Sequence, residues 1–191
     1  VARFGGDNSA LCKRQGNTVL EMKTYNSMDL MSLCGAIKNE YDDATVLEKP
    51  QEILVDVIGV GSGVVDRLSE LNLPVIGVNV GESPSSKKNY LNLRAELWFK
   101  IKEWLSGRDV FLPSDDEVVQ QLVSPIYKYT STGKVKLESK EEMKKRGIKS
   151  PDKADALALT FASTSAVLGG GSSFMGYNFK RPIKSKIYRV G

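Results

Sequence analysis

Ile53-Leu54-Val55-Asp56-Val57-Ile58-Gly59-Val60-Gly61-Ser62-Gly63 decides how this chain is built. A nearly continuous apolar run of this length marks a strand buried on both faces, as parallel strands are. A helix from Val64 to Leu71 and a second buried strand, Val75-Ile76-Gly77-Val78-Asn79-Val80, follow it. The middle of the chain is therefore a βαβ unit with a right-handed crossover, and the fold class is α/β. One residue breaks the apolar pattern. Asp56 is costly to bury uncompensated, so it must be ion-paired, solvated at a cleft or bound to a metal.

The glycines after that strand do not make a dinucleotide site. The fingerprint requires G-x-G-x-x-G, whereas Gly59, Gly61 and Gly63 bring the third glycine one residue early, and Gly77-Val78-Asn79-Val80 lacks the closing acid. A tight strand-to-helix turn is the better reading. No G-x-x-x-x-G-K-[ST] occurs, which excludes a P-loop ATPase within this sequence.

Far along the chain, Ser150-Pro151-Asp152-Lys153-Ala154-Asp155-Ala156-Leu157 begins a helix, with Ser150 expected as N-cap and Pro151 at the first helical position. The helix is expected to run on to about Ser163. Asp152 and Asp155 are three apart and share one face of its first turns, where capping and cation binding are both served. With Asp56 they offer a histidine-free, oxygen-rich donor set suited to Mg²⁺ or Mn²⁺. Two such ions side by side clamp the attacking water and leaving oxygen of an in-line phosphodiester displacement. The sequence contains no histidine at all, which removes Ser-His-Asp and Cys-His nucleophiles and Cys/His zinc sites.

The 191 residues suffice for one domain with a proper core. Cys12 and Cys34 lack CxxC spacing and suit free thiols in the core. No apolar run approaches a membrane span, and no signal pattern opens the chain. Ser9–Arg14 and Thr18–Thr24 form a hairpin around Gln15-Gly16-Asn17. Ser27–Lys38 is an amphipathic helix capped by Asn26 or Ser27, with Met28, Met31 and Leu33 inward. Asn92–Ser106 is a helix with a core face of Leu93, Leu97, Trp98, Ile101, Trp104 and Leu105, and Glu117–Leu122 is a shorter one. Ile126–Thr130 and Lys134–Leu137 form a second hairpin, and Ser139–Arg146 is a helix with the capping-box pattern Ser139-x-x-Glu142.

Val1-Ala2-Arg3-Phe4-Gly5-Gly6-Asp7, the Val55-Asp56 strand running into Gly-x-Gly-x-Gly, Asn92-Leu93-Arg94-Ala95-Glu96 and Ser150-Pro-Asp-Lys-Ala-Asp-Ala-Leu together resemble the nuclease domain of the large terminase subunit of tailed bacteriophages. The resemblance extends to about Phe161. It implies an RNase H-like fold with a mixed central β-sheet flanked by helices over residues 1–168, followed by a Gly/Ser linker and basic tail over 169–191. It implies an endodeoxyribonuclease that cuts concatemeric viral DNA during packaging, with two Mg²⁺ or Mn²⁺ ions. Asp56 matches the second-strand acid, Asp152 and Asp155 the late-helix pair, and Asp7 the additional first-strand acid; the leading first-strand aspartate of that family would fall just before Val1. An N-terminal ATPase domain, the terminase small subunit, the portal protein and double-stranded DNA are the implied partners, and the host cytoplasm, at the procapsid portal, the implied location.

The net charge of +4 is unevenly spread. Lys134, Lys136, Lys144, Lys145, Arg146 and Lys149 precede the acidic helix, and no acid follows Asp155 in a segment holding Lys180, Arg181, Lys184, Lys186 and Arg189. The first group is expected to contact DNA phosphates, in a sequence-independent and salt-sensitive way. Two other readings are compatible with the residues. One is a Holliday-junction-resolvase-like nuclease, and the other a non-enzymatic portal-docking or nucleotide-binding α/β module.

Overall fold

The computed structural model describes residues 8–107 and 109–162. Val1–Asp7, with the candidate Asp7, and the 169–191 linker and tail lie outside them. The chain opens with an antiparallel hairpin, β1 (Ser9–Gln15) and β2 (Thr18–Tyr25), turned at Gly16, whose φ of 56° a glycine adopts without strain. Helix α1 (Leu30–Asp42) follows, then the central unit β3 (Ile53–Asp56), α2 (Gly61–Glu70) and β4 (Val75–Val78). β3 and β4 pair in parallel, Ile53 opposite Val75 through Asp56 opposite Val78, as the apolar runs predict. Helices α3 (Leu93–Leu105) and α4 (Asp116–Val123) lead to a second hairpin, β5 (Tyr127–Tyr129) and β6 (Val135–Leu137). The described chain ends with α5 (Lys140–Lys145) and α6 (Asp152–Leu159).

The expected single mixed sheet appears instead as three two-stranded ladders among the described residues. A helix rather than further strand pairing ties the pieces together: α6 packs against β1, β2 and β3 as well as α3 and α4. Its face of Ala154, Leu157 and Ala158 is fully buried with Val19, Ala95, Leu97, Trp98 and Ile101, and this cluster is the larger core. A second core of Leu33, Cys34, Val55, Val64, Leu68 and Leu73 lies under α1 and α2.

Several element ends differ from the sequence expectation. The N-cap of α1 is Asp29, whose carboxylate accepts from the Ser32 N–H at 2.9 Å, and this cap displaces Asn26 and Ser27. Shifting the start to Leu30 turns the helix, so Leu33 and Cys34 face the core while Met31 is 56% exposed and Met28 lies before the helix. α6 ends at Leu159, short of Ser163. β3 stops at Asp56 instead of continuing to Ile58, and that short stop resolves the desolvation problem. The carboxylate sits at the strand's C-terminal end and accepts from the Ile58 N–H at 3.1 Å. The capping box on α5 is formed by Ser139 and Glu142 as expected. Both cysteines are free, and burial pushes the Cys12 thiol up to about 12, with the Arg14 charge opposing it.

The segment joining β4 to α3 is pinned by one buried acid. Glu96, 3% exposed, accepts from the Ser85 N–H at 2.6 Å, from the Ser86 N–H at 3.3 Å and from the Ser85 hydroxyl, and it pairs with Lys100 at 3.0 Å. Burial pushes this carboxyl up, but the Ser85 and Lys100 interactions outweigh it and leave it below its ordinary 4.5. A depressed folded value means the stabilisation is complete above pH 4.5 and is lost as pH falls through the lower folded value. Acidification below that point is therefore expected to release the 83–88 segment before the core melts. Amide exchange at Ser85 and Ser86 checks this, with Glu96→Gln abolishing the pH step.

Candidate active site

β3 packs against α6, and α/β folds build their sites at the C-terminal ends of such strands. Asp56 occupies the end of β3. It makes no salt bridge among the described residues, so the ion-paired reading of this acid finds no support in the geometry. Its position depends on a close approach of backbone to backbone. A Cβ on Gly61 would lie 1.7 Å from the Asp56 carbonyl oxygen, so the turn after β3 admits only glycine there. The strand-to-helix turn is shorter than its spacing indicates: Gly59 and Val60 make it, and Gly61 and Gly63 already belong to α2, which begins at Gly61 instead of Val64.

The two acids of α6 have different surroundings. Asp155 is held by α3. Its Oδ1 accepts from Arg94 Nη2 at 3.1 Å, Arg94 Nε at 3.2 Å and Trp98 Nε1 at 2.9 Å. Arg94 and Trp98 are four apart and share the face that meets α6, and Arg94 also donates to the Glu138 carbonyl at 2.8 Å. Asp152 has lighter partners: the Ser150 hydroxyl donates to its Oδ1 at 2.7 Å, and Lys140 Nζ lies 3.2 Å from the same oxygen. The Lys140 ammonium also lies 3.6 Å from Asp155 Oδ2, so one cation bridges both carboxylates.

Ser150 is thus engaged with Asp152 and does not cap the helix. Pro151 is the N-cap residue, and the orphan N–H groups of Lys153 and Ala154 donate to Gln121 Oε1 of α4 at 2.8 and 3.2 Å. Lys153 adds ion pairs to Asp115 at 2.7 Å and Glu117 at 2.6 Å, and these lock α6 against α4.

Among the described residues no three His, Cys, Asp or Glu side chains form a group able to hold a metal ion. Asp56 and Asp152 supply hard oxygen donors suited to Mg²⁺ or Mn²⁺. Asp155 is occupied by Arg94 and Trp98, and Asp7 lies outside the described residues. The sequence points to Asp155 as a metal ligand but does not show its partners Arg94, Trp98 and Lys140, nor Gln121, which caps the α6 amides. The Arg94–Trp98 spacing on α3 was a visible signal, but Trp98 reads equally well as core.

Of the expected phosphate contacts, Lys136 on β6 stands directly opposite Lys128 on β5 with both side chains exposed, and the Glu142 carboxylate lies within electrostatic range of both. Lys144, Lys145 and Lys149 are exposed and Lys134 half-buried, and none of these makes a salt bridge among the described residues. Arg146 differs. Its guanidinium donates to both Glu138 carboxylate oxygens at 2.7 Å and to the Ser124 carbonyl at 2.9 Å, so it braces the fold.

No family model matches the sequence, and no curated protein matches it. Solved structures do. A mutant nuclease domain of the large terminase subunit of bacterial virus Sf6, with manganese and beta-thujaplicinol, superposes with a TM-score of 0.68 at 20% identity over 82% of this chain and 83% of that one. The large terminase nuclease from thermophilic phage G20c with bound magnesium gives 0.57 at 14% identity over 84% of each chain. The chain has the RNase H-like fold of terminase nuclease domains. Within that RNase H-like fold, β3, its glycine turn and α6 bring Asp56 and Asp152 onto neighbouring elements.

Proposed function

We propose that this domain is a metal-dependent DNA endonuclease of the terminase kind, cutting double-stranded DNA by two-metal phosphodiester hydrolysis. The observation that carries it is Asp56: a carboxylate with no cationic partner among the described residues, at the end of the strand that α6 packs against. Asp56 and Asp152 would hold the metal, with Asp7 as a further acid, and the metal would supply a lowered water pKa and a clamp on phosphate oxygens. Arg94 and Trp98 fix Asp155, which in turn sets the azimuth of α6 and so of Asp152. Lys140 neutralises the two α6 acids, and the exposed Lys128, Lys136, Lys144, Lys145 and Lys149, with the half-buried Lys134, hold the DNA backbone. The double-stranded substrate, the small subunit, the portal and an ATPase domain are the proposed partners, and the host cytoplasm the proposed place of action. Among the described residues no helix is long and apolar enough to cross a membrane.

Supercoiled plasmid incubated with the full chain and Mn²⁺ tests the proposal, with chelator as control. Nicking and linearisation are expected, with a loss of about tenfold or more in Asp56→Ala and in Asp152→Ala. Stability is expected to change by no more than about 1 kcal/mol in either variant, because their partners are few or exposed. Cleavage undiminished by Asp56→Ala would sink the assignment.

A further inference from the structure

The last turn of α6 carries no basic residue of its own, yet its terminal carbonyls are served by a cation. Arg14 of β1 supplies it. Its Nε donates to the Thr160 hydroxyl at 2.7 Å and its Nη2 to the Thr160 carbonyl at 2.9 Å. The Thr160 hydroxyl in turn donates to the Leu157 carbonyl at 2.7 Å, so the guanidinium reaches a second helix acceptor through it. Cys12, two residues back on β1, packs on the core cluster that holds the buried face of α6, so Arg14 leaves the strand on the same side. A register shift in the hairpin between Lys13 and Arg14 adds local twist at this point.

Other contacts close a ring around the same spot. Arg14 Nη1 donates to the Gly16 carbonyl at 2.6 Å, and the guanidinium carbon lies 4.2 Å from the centre of the Phe161 ring. Phe161 stands edge-on to Trp104 of α3 at 5.6 Å, and Trp104 Nε1 donates to Asn17 Oδ1 in the β1–β2 turn at 3.2 Å. The hairpin turn, α3 and the end of α6 are thus clasped together. Asp152 opens the helix and Thr160 follows its last residue, so the acid and the clasp lie at opposite ends, about 12 Å apart. Gln121 holds the amides at the Asp152 end, and Arg94 and Trp98 hold Asp155 part-way along. A helix held near its start keeps its tilt only when its other end is held as well. Site groups must stay within about 10–20° of their productive direction, and a tilt of α6 turns both acids together.

We propose that Arg14 is a positioning residue for the acidic helix: by holding Thr160 and Phe161 it fixes the tilt of α6, and with it the direction of Asp152 and Asp155. Its bearing on metal rests on the function proposed above, whereas its hold on α6 does not.

Two readouts on the full chain test this. The sequence has two tryptophans, so the protein gives two indole N–H resonances, which Trp104→Phe assigns. The Trp98 resonance reports the bond to Asp155 Oδ1 and needs no metal. Arg14→Ala is expected to move it upfield, as that bond lengthens. Leu68→Ala, a cavity in the second core, lowers stability by another route and is expected to leave it in place. Manganese binding, followed through the spin resonance of the free ion, is expected to weaken about fivefold or more in Arg14→Ala but not in Leu68→Ala. Arg14→Lys, which keeps a cation at the helix end, should fall between Arg14→Ala and wild type. A Trp98 resonance unmoved by Arg14→Ala, or moved as far by Leu68→Ala, would overturn the proposal. So would undiminished manganese affinity in Arg14→Ala when the wild type binds the ion. A wild type that binds no manganese would instead remove the nuclease reading, and the Trp98 resonance alone would then decide the role of Arg14.

Discussion

Gly61→Ala is expected to destabilise the domain by about 3 kcal/mol or more, although helix propensity alone would reward it by about 1 kcal/mol at this first residue of α2. The two effects have opposite signs, and geometry decides between them. The added methyl would lie 1.7 Å from the Asp56 carbonyl oxygen and 2.8 Å from its carbon, with a Val55 methyl at 3.7 Å. The obstacle is backbone on the central strand, so no side chain can swing away to relieve it. Gly63→Ala is the internal comparison. Its methyl would meet only Leu30 Cδ1, at 2.7 Å, the movable end of a side chain, and the expected cost is about 1 kcal/mol or less. Urea unfolding of both variants separates the cases. Comparable costs would mean that the turn after β3 is not the tight approach described here. Because the clash falls on Asp56 itself, any folded Gly61→Ala protein should also cut DNA poorly.

The sequence showed the parts of this site whose physics is local. An acid beside an apolar strand, a glycine turn after it and a capping box at Ser139 each depend on residues close in the chain; the capping box appears where the pattern placed it, while β3 stops at Asp56 and α2 takes in Gly61 and Gly63. What escaped depends on contacts between distant residues. Ser150 has the chemistry of an N-cap, yet Gln121 from α4 satisfies the α6 amides and frees Ser150 to bond Asp152. Met28 and Met31 have core chemistry, but capping by Asp29 rotates α1 and brings Cys34 inward instead. Arg146 belongs by composition to a basic cluster, while a carboxylate eight residues earlier claims it. Periodicity cannot rank such competitors, because the winning partner lies on another element.

Asp155→Ala is expected to lower the unfolding free energy by about 2–4 kcal/mol, against about 1 kcal/mol or less for Asp152→Ala. Both acids lie in the first turns of one helix, three residues apart, so helix-dipole and capping effects nearly cancel in the comparison. What differs is what each leaves behind. Without Asp155, a guanidinium only 16% exposed and the Trp98 N–H lose their acceptor inside the contact between α3 and α6. Without Asp152, the orphaned groups are the Ser150 hydroxyl and an ammonium that is 46% exposed and easily hydrated. Replacing both members of the inner pair by apolar residues, Arg94→Met with Asp155→Leu, should recover much of the loss, since no buried charge is then stranded. Denaturant midpoints of the three variants decide it, and equal costs for the two aspartates would show that Asp155 is not the structural member. The difference also governs how cleavage assays are read: lost cutting in an Asp155 variant first reports a displaced α6, whereas lost cutting in the stable Asp152→Ala reports on the chemistry of the carboxylate.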